Sequence, residues 1–135
     1  MSEAARPILP VDTDVDTEGF FEASRRSKLA ICVCGSCGAV LHMPRAYCHV
    51  CGSWHPQWKE VAGRAELYSW TVVEHQVHPA YPVPYTIVLV DLTDAPGTRL
   101  VGCLPGRPHL EAGQRMRASF VEIAPNVVLP QWEPA

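Results

Sequence analysis

Hydrophobic positions along the chain follow strand-like patterns in most segments. Leu29, Ile31 and Val33 alternate with other residues, which predicts a short strand. Residues 64–75 are rich in Tyr, Trp, Thr and Val, and residues 84–92 form a nearly continuous apolar run typical of a strand buried on both faces. Further strands are predicted over residues 98–104, 114–123 and 127–132. Five short strands favour a small closed barrel of the OB type, with a sandwich of similar size as the alternative.

One segment has a helical pattern instead. It predicts a helix over residues 17–28, which Asp16 or Thr17 can cap. Basic residues near its far end suit the helix dipole. The adjacent Phe20 and Phe21 are expected to pack on the rest of the chain, with a contact to another protein as the alternative.

Residues 1–15, here called the arm, contain two prolines and several acidic residues. They are predicted to be disordered, or ordered only against a partner. The first residues are not basic and then apolar, so no signal peptide is expected. No apolar run reaches the roughly 18 residues that a membrane span needs. We therefore expect a cytoplasmic protein without a membrane partner.

Four of the six cysteines form two Cys-x-x-Cys pairs, each followed by a glycine. Four thiolates are the number that a tetrahedral zinc site requires, and they leave no open position for a catalytic water. Glycine suits the positive φ that a metal-binding turn often needs. We therefore predict a structural metal bound by Cys34, Cys37, Cys48 and Cys51. The metal is zinc or, since iron also accepts four thiolates, iron.

Other uses of the cysteines fit the sequence less well. Disulfides need an oxidising compartment, which a chain without a signal peptide is not expected to reach. A redox-active Cys-x-x-Cys would adjoin a βαβ pattern, and such a pattern surrounds neither pair. Cys32 lies outside the pairs and is interpreted as a spectator, and Cys103 as a buried apolar residue rather than a nucleophile. The predicted fold is mainly β, with an N-terminal arm and helix, a zinc ribbon and an OB-fold barrel over residues 1–29, 30–59 and 60–135.

Charge is distributed unevenly along this chain of net charge −3. Residues 28–59 carry three bases and no acids, whereas the chain from residue 60 onward carries eight acids, five arginines and no lysine. Nucleic-acid binders usually present a basic face, because phosphate neutralisation supplies much of their affinity. This chain does not show such a face, so no nucleic-acid partner is expected. A nucleic-acid-binding zinc-ribbon and OB-fold module is kept as the alternative function.

The segment over residues 74–85 is long for a barrel loop and contains three prolines. It includes His75, His78, Tyr81 and Tyr85, whose side chains combine apolar area with a polar tip, as interface residues often do. No adjacent nucleophile or orienting carboxylate completes a catalytic triad with the histidines. We predict that these four residues contact a partner or a substrate channel, with a plain surface loop as the alternative.

The order of these motifs resembles that of a known family. It runs from a helix through CxxCG, CxxCGS and a tryptophan to Val-Ala-Gly-Arg, Tyr-Ser-Trp-Thr-Val-Val and Pro-Tyr-x-x-x-Leu-Val-Asp-Leu. Over about residues 17–123 the chain is similar to the rubredoxin-like zinc-ribbon plus OB-fold proteins of acyl-CoA metabolism, long classed as a domain of unknown function.

The resemblance implies an accessory role. Members of that family are usually subunits or fused domains that serve thiolase-fold enzymes, such as thiolases, acyltransferases and retro-aldolases that cleave steroid side-chain acyl-CoAs. By this likeness the chain is expected to be non-catalytic and to bind a thiolase-fold enzyme as a heterotetramer, with acyl-CoA at the shared interface. A stand-alone acyl-CoA enzyme that uses His75 or Cys103 is the remaining alternative.

Overall fold

The computed structural model of the chain describes residues 5–135, so the first four residues of the predicted arm lie outside the described part. In chain order the elements are α1 (Glu18–Arg25), β1 (Leu29–Cys34), β2 (Pro56–Val61), β3 (Arg64–Val73), β4 (Tyr85–Leu92), β5 (Arg99–Pro105), β6 (Arg115–Ala124) and β7 (Val127–Pro134). Among the described residues, no helix combines the length and apolar character needed to cross a bilayer.

The strands form two antiparallel sheets. β1 pairs with β2, and the other five strands form a sheet in the order β5-β4-β3-β6-β7. The two edge strands of the larger sheet, β5 and β7, contact each other, so that the sheet curls into an OB-like barrel. The prediction of a mainly β fold with a helix, a cysteine-bearing ribbon and a five-stranded OB-type region is confirmed.

β5 and β7 meet at a seam where no backbone ladder joins them. At this seam Gln131 Oε1 accepts a hydrogen bond from the backbone N–H of Cys103 at 2.7 Å. Gly102 allows the close approach of Trp132, because a Cβ at this glycine would lie 2.9 Å from Trp132 Cδ1. Side chains rather than backbone hydrogen bonds therefore hold the seam together.

One hydrophobic core extends from the ribbon into the barrel. Leu29, Ile31 and Val33 of β1 are buried in the same cluster as Val88 of β4 and Trp132 of β7. β1 is buried along its whole length because it lies between the barrel and the cysteine-bearing turns. The domain boundaries at residues 29 and 59 stay a prediction, but the packing across them is continuous.

β4 is buried on one face only. Thr86, Val88, Val90 and Leu92 are buried, whereas Ile87 between them is 36% exposed. The prediction that this strand is buried on both faces is therefore wrong.

α1 ends at Arg25, earlier than the predicted residue 28. Ser27 has a φ of 56°, and the N–H of Lys28 donates to the carbonyl of Ala23 at 2.9 Å. A residue in this left-handed conformation, followed by such a backward hydrogen bond, ends a helix. The periodicity of polar and apolar residues does not indicate such a local turn.

β2 was not predicted from the sequence. This strand begins with a proline and carries the charged residues Lys59 and Glu60 on a mostly exposed surface. Apolar and polar residues alternate only weakly along β2. The strand forms because it pairs with the buried β1, from Leu29↔Val61 to Cys34↔Pro56.

The described part of the arm lies against the chain itself. The backbone N–H of Ile8 donates to the hydroxyl of Tyr81 at 2.8 Å, and Asp12 forms a 2.7 Å ion pair with Arg25. The hydroxyl of Thr17 does not cap α1 and is bonded to the arm instead. The prediction of an arm ordered only against a partner is therefore wrong for these residues.

Candidate metal centre and apolar groove

The four cysteines of the two Cys-x-x-Cys pairs form one cluster, with all sulfur atoms within 4.8 Å of one another. The sulfurs of Cys34 and Cys51 are 3.6 Å apart, and those of Cys37 and Cys48 are 3.7 Å apart. Four sulfurs at about 2.3 Å from a tetrahedral ion would be separated by about 3.8 Å. The cluster therefore has the geometry of a four-thiolate metal site, and its sulfurs are too far apart for a disulfide bond of about 2 Å.

Two similar turns carry the cysteines. Gly38 and Gly52 both have a φ of 78°, a conformation that glycine adopts without a Cβ clash. In the first turn, the backbone N–H groups of Ser36 and Cys37 point at the sulfur of Cys34 at 3.4 and 3.5 Å. Such donors stabilise negative charge on the sulfur.

The two turns are also tied to each other. The hydroxyl of Ser36, within the first pair, is hydrogen bonded at 2.8 Å to that of Ser53, just after the second pair, so the two turns are held side by side. The first cysteine of each pair, Cys34 and Cys48, is buried, whereas the second is exposed. One side of the cluster thus rests on the ribbon core and the other faces outward.

Local hydrogen bonds give the thiols unequal acidity. The backbone N–H of Cys37 is the main cause that lowers the pKa of Cys34 to about 6, and the backbone N–H of Cys51 similarly lowers the pKa of Cys48. The backbone N–H of Ser53 lowers the pKa of Cys51, but burial and the neighbouring thiols outweigh it and raise that pKa to about 12. The pKa of Cys37 is also raised. A bound cation offsets the repulsion among the thiolates, so metal binding and loss of the remaining protons are linked.

The other two cysteines lie outside the cluster. Cys32 is buried in the ribbon, and burial raises its pKa. Cys103 is exposed, so the prediction of a buried cysteine is wrong: its position on β5 points outward. Partial burial still raises the pKa of Cys103. Its thiol donates a hydrogen bond to the carbonyl of Leu104, with sulfur and oxygen 4.0 Å apart.

A second candidate site is a wide groove with a volume of about 760 Å³, here called the apolar groove. It follows the seam between β5 and β7, and α1, β4, β6 and the arm supply further parts of its lining. The lining consists of Pro7, Ile8, Phe20, Phe21, Tyr81, Pro82, Tyr85, Ile87, Leu100, Val101, Gly102, Cys103, Pro105, Val121, Ile123, Leu129, Pro130, Gln131 and Trp132.

The four predicted contact residues are placed differently relative to this groove. Tyr81 and Tyr85 line it. His78 packs on Tyr81 with ring centroids 5.3 Å apart, and its Nδ1 accepts the N–H of Ala80 at 3.1 Å. His75 is exposed and is not part of the lining. The structure thus brings the two tyrosines to a common surface and leaves His75 outside it.

Most residues of the groove were not identified from the sequence. Val101 and Val121 are 66% and 45% exposed, and no charged side chain is among the described lining residues. The available signals were the apolar run of β4, whose outward-facing Tyr85 and Ile87 line the groove, and the adjacent Phe20 and Phe21 of α1, which line it too. A contiguous exposed apolar surface of this kind marks a ligand-binding or protein-binding site.

Two sequence models of one family match successive parts of the chain. The model of the ChsH2 rubredoxin-like zinc ribbon domain matches residues 21–53, and the model of the ChsH2 C-terminal OB-fold domain matches residues 58–121. The first match contains the four-cysteine cluster, and the second contains most of the barrel strands.

A curated relative matches nearly the whole chain but is much longer. A probable enoyl-CoA hydratase alpha subunit from Thermomonospora curvata is 37% identical over 135 residues, which is 98% of this chain. The chain spans only 41% of the length of that relative.

Two solved structures share the fold. A chain of the structure described as "Ltp2-ChsH2(DUF35) aldolase" is 34% identical with a TM-score of 0.83, over 93% of this chain and 98% of that one. A DUF35-family protein of unknown function from Sulfolobus solfataricus is 17% identical with a TM-score of 0.62, over 92% and 86%, and this likeness concerns the fold alone. The two matching domains and the 34% identical chain show that the protein belongs to the ChsH2 (DUF35) family, in which a rubredoxin-like zinc ribbon precedes an OB-fold domain.

Proposed function

We propose that the chain is a non-catalytic accessory subunit that binds a thiolase-fold enzyme and helps to form its acyl-CoA substrate channel. The observation that carries this proposal is the likeness, over nearly the full length of both chains, to a chain of the Ltp2-ChsH2(DUF35) aldolase. The longer relative named as an enoyl-CoA hydratase alpha subunit supports the same broad area of acyl-CoA chemistry.

The apolar groove supports a role in contacting a partner or its acyl substrate. Its lining offers apolar area with the two tyrosines, Tyr81 and Tyr85, and no described lysine or arginine. Such a lining suits an acyl chain or an apolar protein surface better than the phosphates of a nucleic acid. Acyl-CoA at an interface with the partner, in a heterotetramer, is the arrangement we infer from the family resemblance.

The chemistry of the candidate nucleophile supports a partner-supplied active site. The pKa of Cys103 is raised by its apolar surroundings, and its sulfur is bonded to a carbonyl rather than to a base. A raised thiol pKa lowers the fraction of the reactive thiolate at neutral pH. In the proposed complex the partner enzyme therefore supplies the nucleophile and the acid–base groups.

We further propose that Cys34, Cys37, Cys48 and Cys51 hold a structural zinc ion. The distances between their sulfurs fit it, and a site with four protein ligands leaves no position for a substrate or a reactive water. Iron would fit the same distances, and metal analysis of the purified protein distinguishes the two.

Affinity capture tests the accessory role. The tagged chain is purified from a lysate of its native source, bound proteins are identified by mass spectrometry, and aldol cleavage and enoyl-CoA hydration are assayed with and without the chain. We expect a thiolase-fold aldolase in stoichiometric amount, whose activity depends on the chain. A Val101→Asp variant, which adds a charge to the groove, should lose the partner, whereas Val15→Asp, at an exposed valine outside the groove, should retain it.

Other outcomes would change the assignment. Stoichiometric capture of a hydratase subunit would support the second candidate, an accessory subunit of an enoyl-CoA hydratase, which the Thermomonospora relative favours. Recovery of nucleic acid, or acyl-CoA turnover by the isolated chain, would contradict the accessory role.

A further inference from the structure

Residues 7–12 of the arm, here called the strap, reach the apolar groove at their Pro7–Ile8 end. Pro7 and Ile8 form part of the groove lining, beside residues of α1 and of the loop before β4. We propose that the strap is a displaceable cover, and that its release opens this end of the groove to an apolar ligand. This inference deepens the proposed function, on which it rests, because the same groove is the proposed contact for the partner or its acyl substrate.

Three separate polar contacts hold the strap. The N–H of Ile8 donates to the Tyr81 hydroxyl at 2.8 Å, and the carbonyl of Val11 accepts from the Thr17 hydroxyl at 2.8 Å. Asp12 completes the set through its ion pair with Arg25. Both hydrogen bonds are exposed, so water can replace either partner at little net cost.

The apolar side chains of the strap contribute little to holding it. Ile8, Leu9 and Val11 are 65%, 52% and 68% exposed. A segment normally becomes fixed by burying such side chains, and here most of their area stays in contact with water. Pro7 and Pro10 limit the backbone to an extended course and remove two donors. The strap is therefore held mainly by its polar contacts, which is typical of segments that open locally.

The two ends of the strap differ in how they are anchored. Arg25, which pairs with Asp12, also donates from its Nε to the carbonyl of Asn126 at 2.9 Å, in the turn between β6 and β7. Through Arg25 the Asp12 end is thus tied to α1 and to the turn between β6 and β7, whereas the N–H of Ile8 is bonded to the Tyr81 hydroxyl of the loop before β4. We assign the Asp12 end as the hinge and the Tyr81 hydroxyl as the latch.

The latch can be removed without changing the shape of the groove. A Tyr81→Phe variant keeps the ring and loses the acceptor, and Tyr68→Phe makes the same change at an exposed tyrosine outside the groove. Asp12→Asn weakens the hinge, and Glu133→Gln is its matched control at an ion pair outside the strap. Hydrogen–deuterium exchange of the Ile8 amide and the affinity for Nile red, an uncharged apolar dye, are measured on the full chain without a partner.

We expect the Ile8 amide of Tyr81→Phe to exchange faster and the dye to bind about threefold to tenfold more tightly, with a larger change when Asp12→Asn is added. Both controls should behave as the unmodified chain does. Adding Val101→Asp should abolish the gain in affinity, because the dye then meets a charge in the groove.

Three outcomes would overturn the inference. They are unchanged Ile8 exchange in Tyr81→Phe, faster exchange without tighter dye binding, and a gain in affinity that survives Val101→Asp. Because no partner is present, such a failure leaves the result of affinity capture untouched, and failed capture leaves the behaviour of the strap untouched.

Discussion

Individual residues set the acidity of the four-cysteine cluster. Backbone N–H groups favour thiolates at Cys34 and Cys48, whereas the pKa values of Cys37 and Cys51 are raised. At pH 7 the cluster without metal therefore retains protons that a bound cation must displace. The free energy needed to remove these protons from the thiols falls as the pH rises.

Zinc binding should consequently release protons, and the zinc affinity should increase with pH. Near pH 7 we expect more than one proton per zinc, since Cys37 and Cys51 are the thiols with raised pKa. Below the pKa of about 6 at Cys34, that thiol is protonated too and binding weakens further. Calorimetric titration in buffers of different ionisation enthalpy measures the number of protons. A value of zero at pH 7 would contradict this account.

A single cysteine substitution tests the ligand set. Cys37→Ser should reduce the zinc content well below one equivalent and lower the melting temperature, because a structural zinc contributes roughly 10–16 kcal/mol to the folding of finger-type peptides. Elemental analysis after gel filtration measures the content. Cys103→Ser, at an exposed cysteine outside the cluster, is the control and should keep its zinc. Retention of a full equivalent by Cys37→Ser would exclude the four-thiolate site.

Among the elements, α1 and β2 depend on a close contact. A Cβ at Gly19 of α1 would lie 2.2 Å from Cδ1 of Trp58 on β2. The indole therefore occupies the space that a side chain at this helix position would fill. This contact fixes how the helix lies against the ribbon, and it explains a glycine inside a helix, where that residue is normally unfavourable.

Gly19→Ala should destabilise the fold, although alanine favours a helix by about 1 kcal/mol. Overpacking against the indole should cost about 1–3 kcal/mol, and urea unfolding measures the net effect. The same substitution in a Trp58→Ala background provides the control, since the obstructing ring is then absent. We expect it to be neutral or stabilising there. An equal loss of stability in both backgrounds would show that the indole is not the cause.

For the whole molecule, the core shared by β1 and the barrel should couple metal binding to barrel stability. Removal of zinc by a chelator should loosen β1, whose Ile31 and Val33 pack in the same cluster as Val88 and Val90 of β4. We expect the amides of β4 to exchange at least about tenfold faster by hydrogen–deuterium exchange. In a Cys37→Ser variant the chelator should add nothing. Unchanged β4 exchange after loss of zinc would mean that ribbon and barrel fold independently.

The four-cysteine cluster could be predicted from the sequence, whereas β2 and most of the apolar groove could not. The cysteine cluster lies within residues 34–51, so residue spacing alone could indicate it. The lining of the apolar groove includes residues as distant in the sequence as Pro7 and Trp132. The periodicity of one segment cannot indicate a surface that several distant segments form together. β2 was missed because its pairing with β1, not its own alternation, stabilises it.

The side-chain closure of the seam between β5 and β7 also bears on aggregation. Open strand edges can recruit strands of other molecules and so initiate fibre growth. Here Pro130 and Pro134 of β7 have no N–H to donate. On β5, the N–H of Cys103 already donates to the side-chain oxygen of Gln131. An incoming strand would find an interrupted row of partners on either edge. These features should therefore hinder edge-to-edge polymerisation, although no backbone ladder joins β5 to β7.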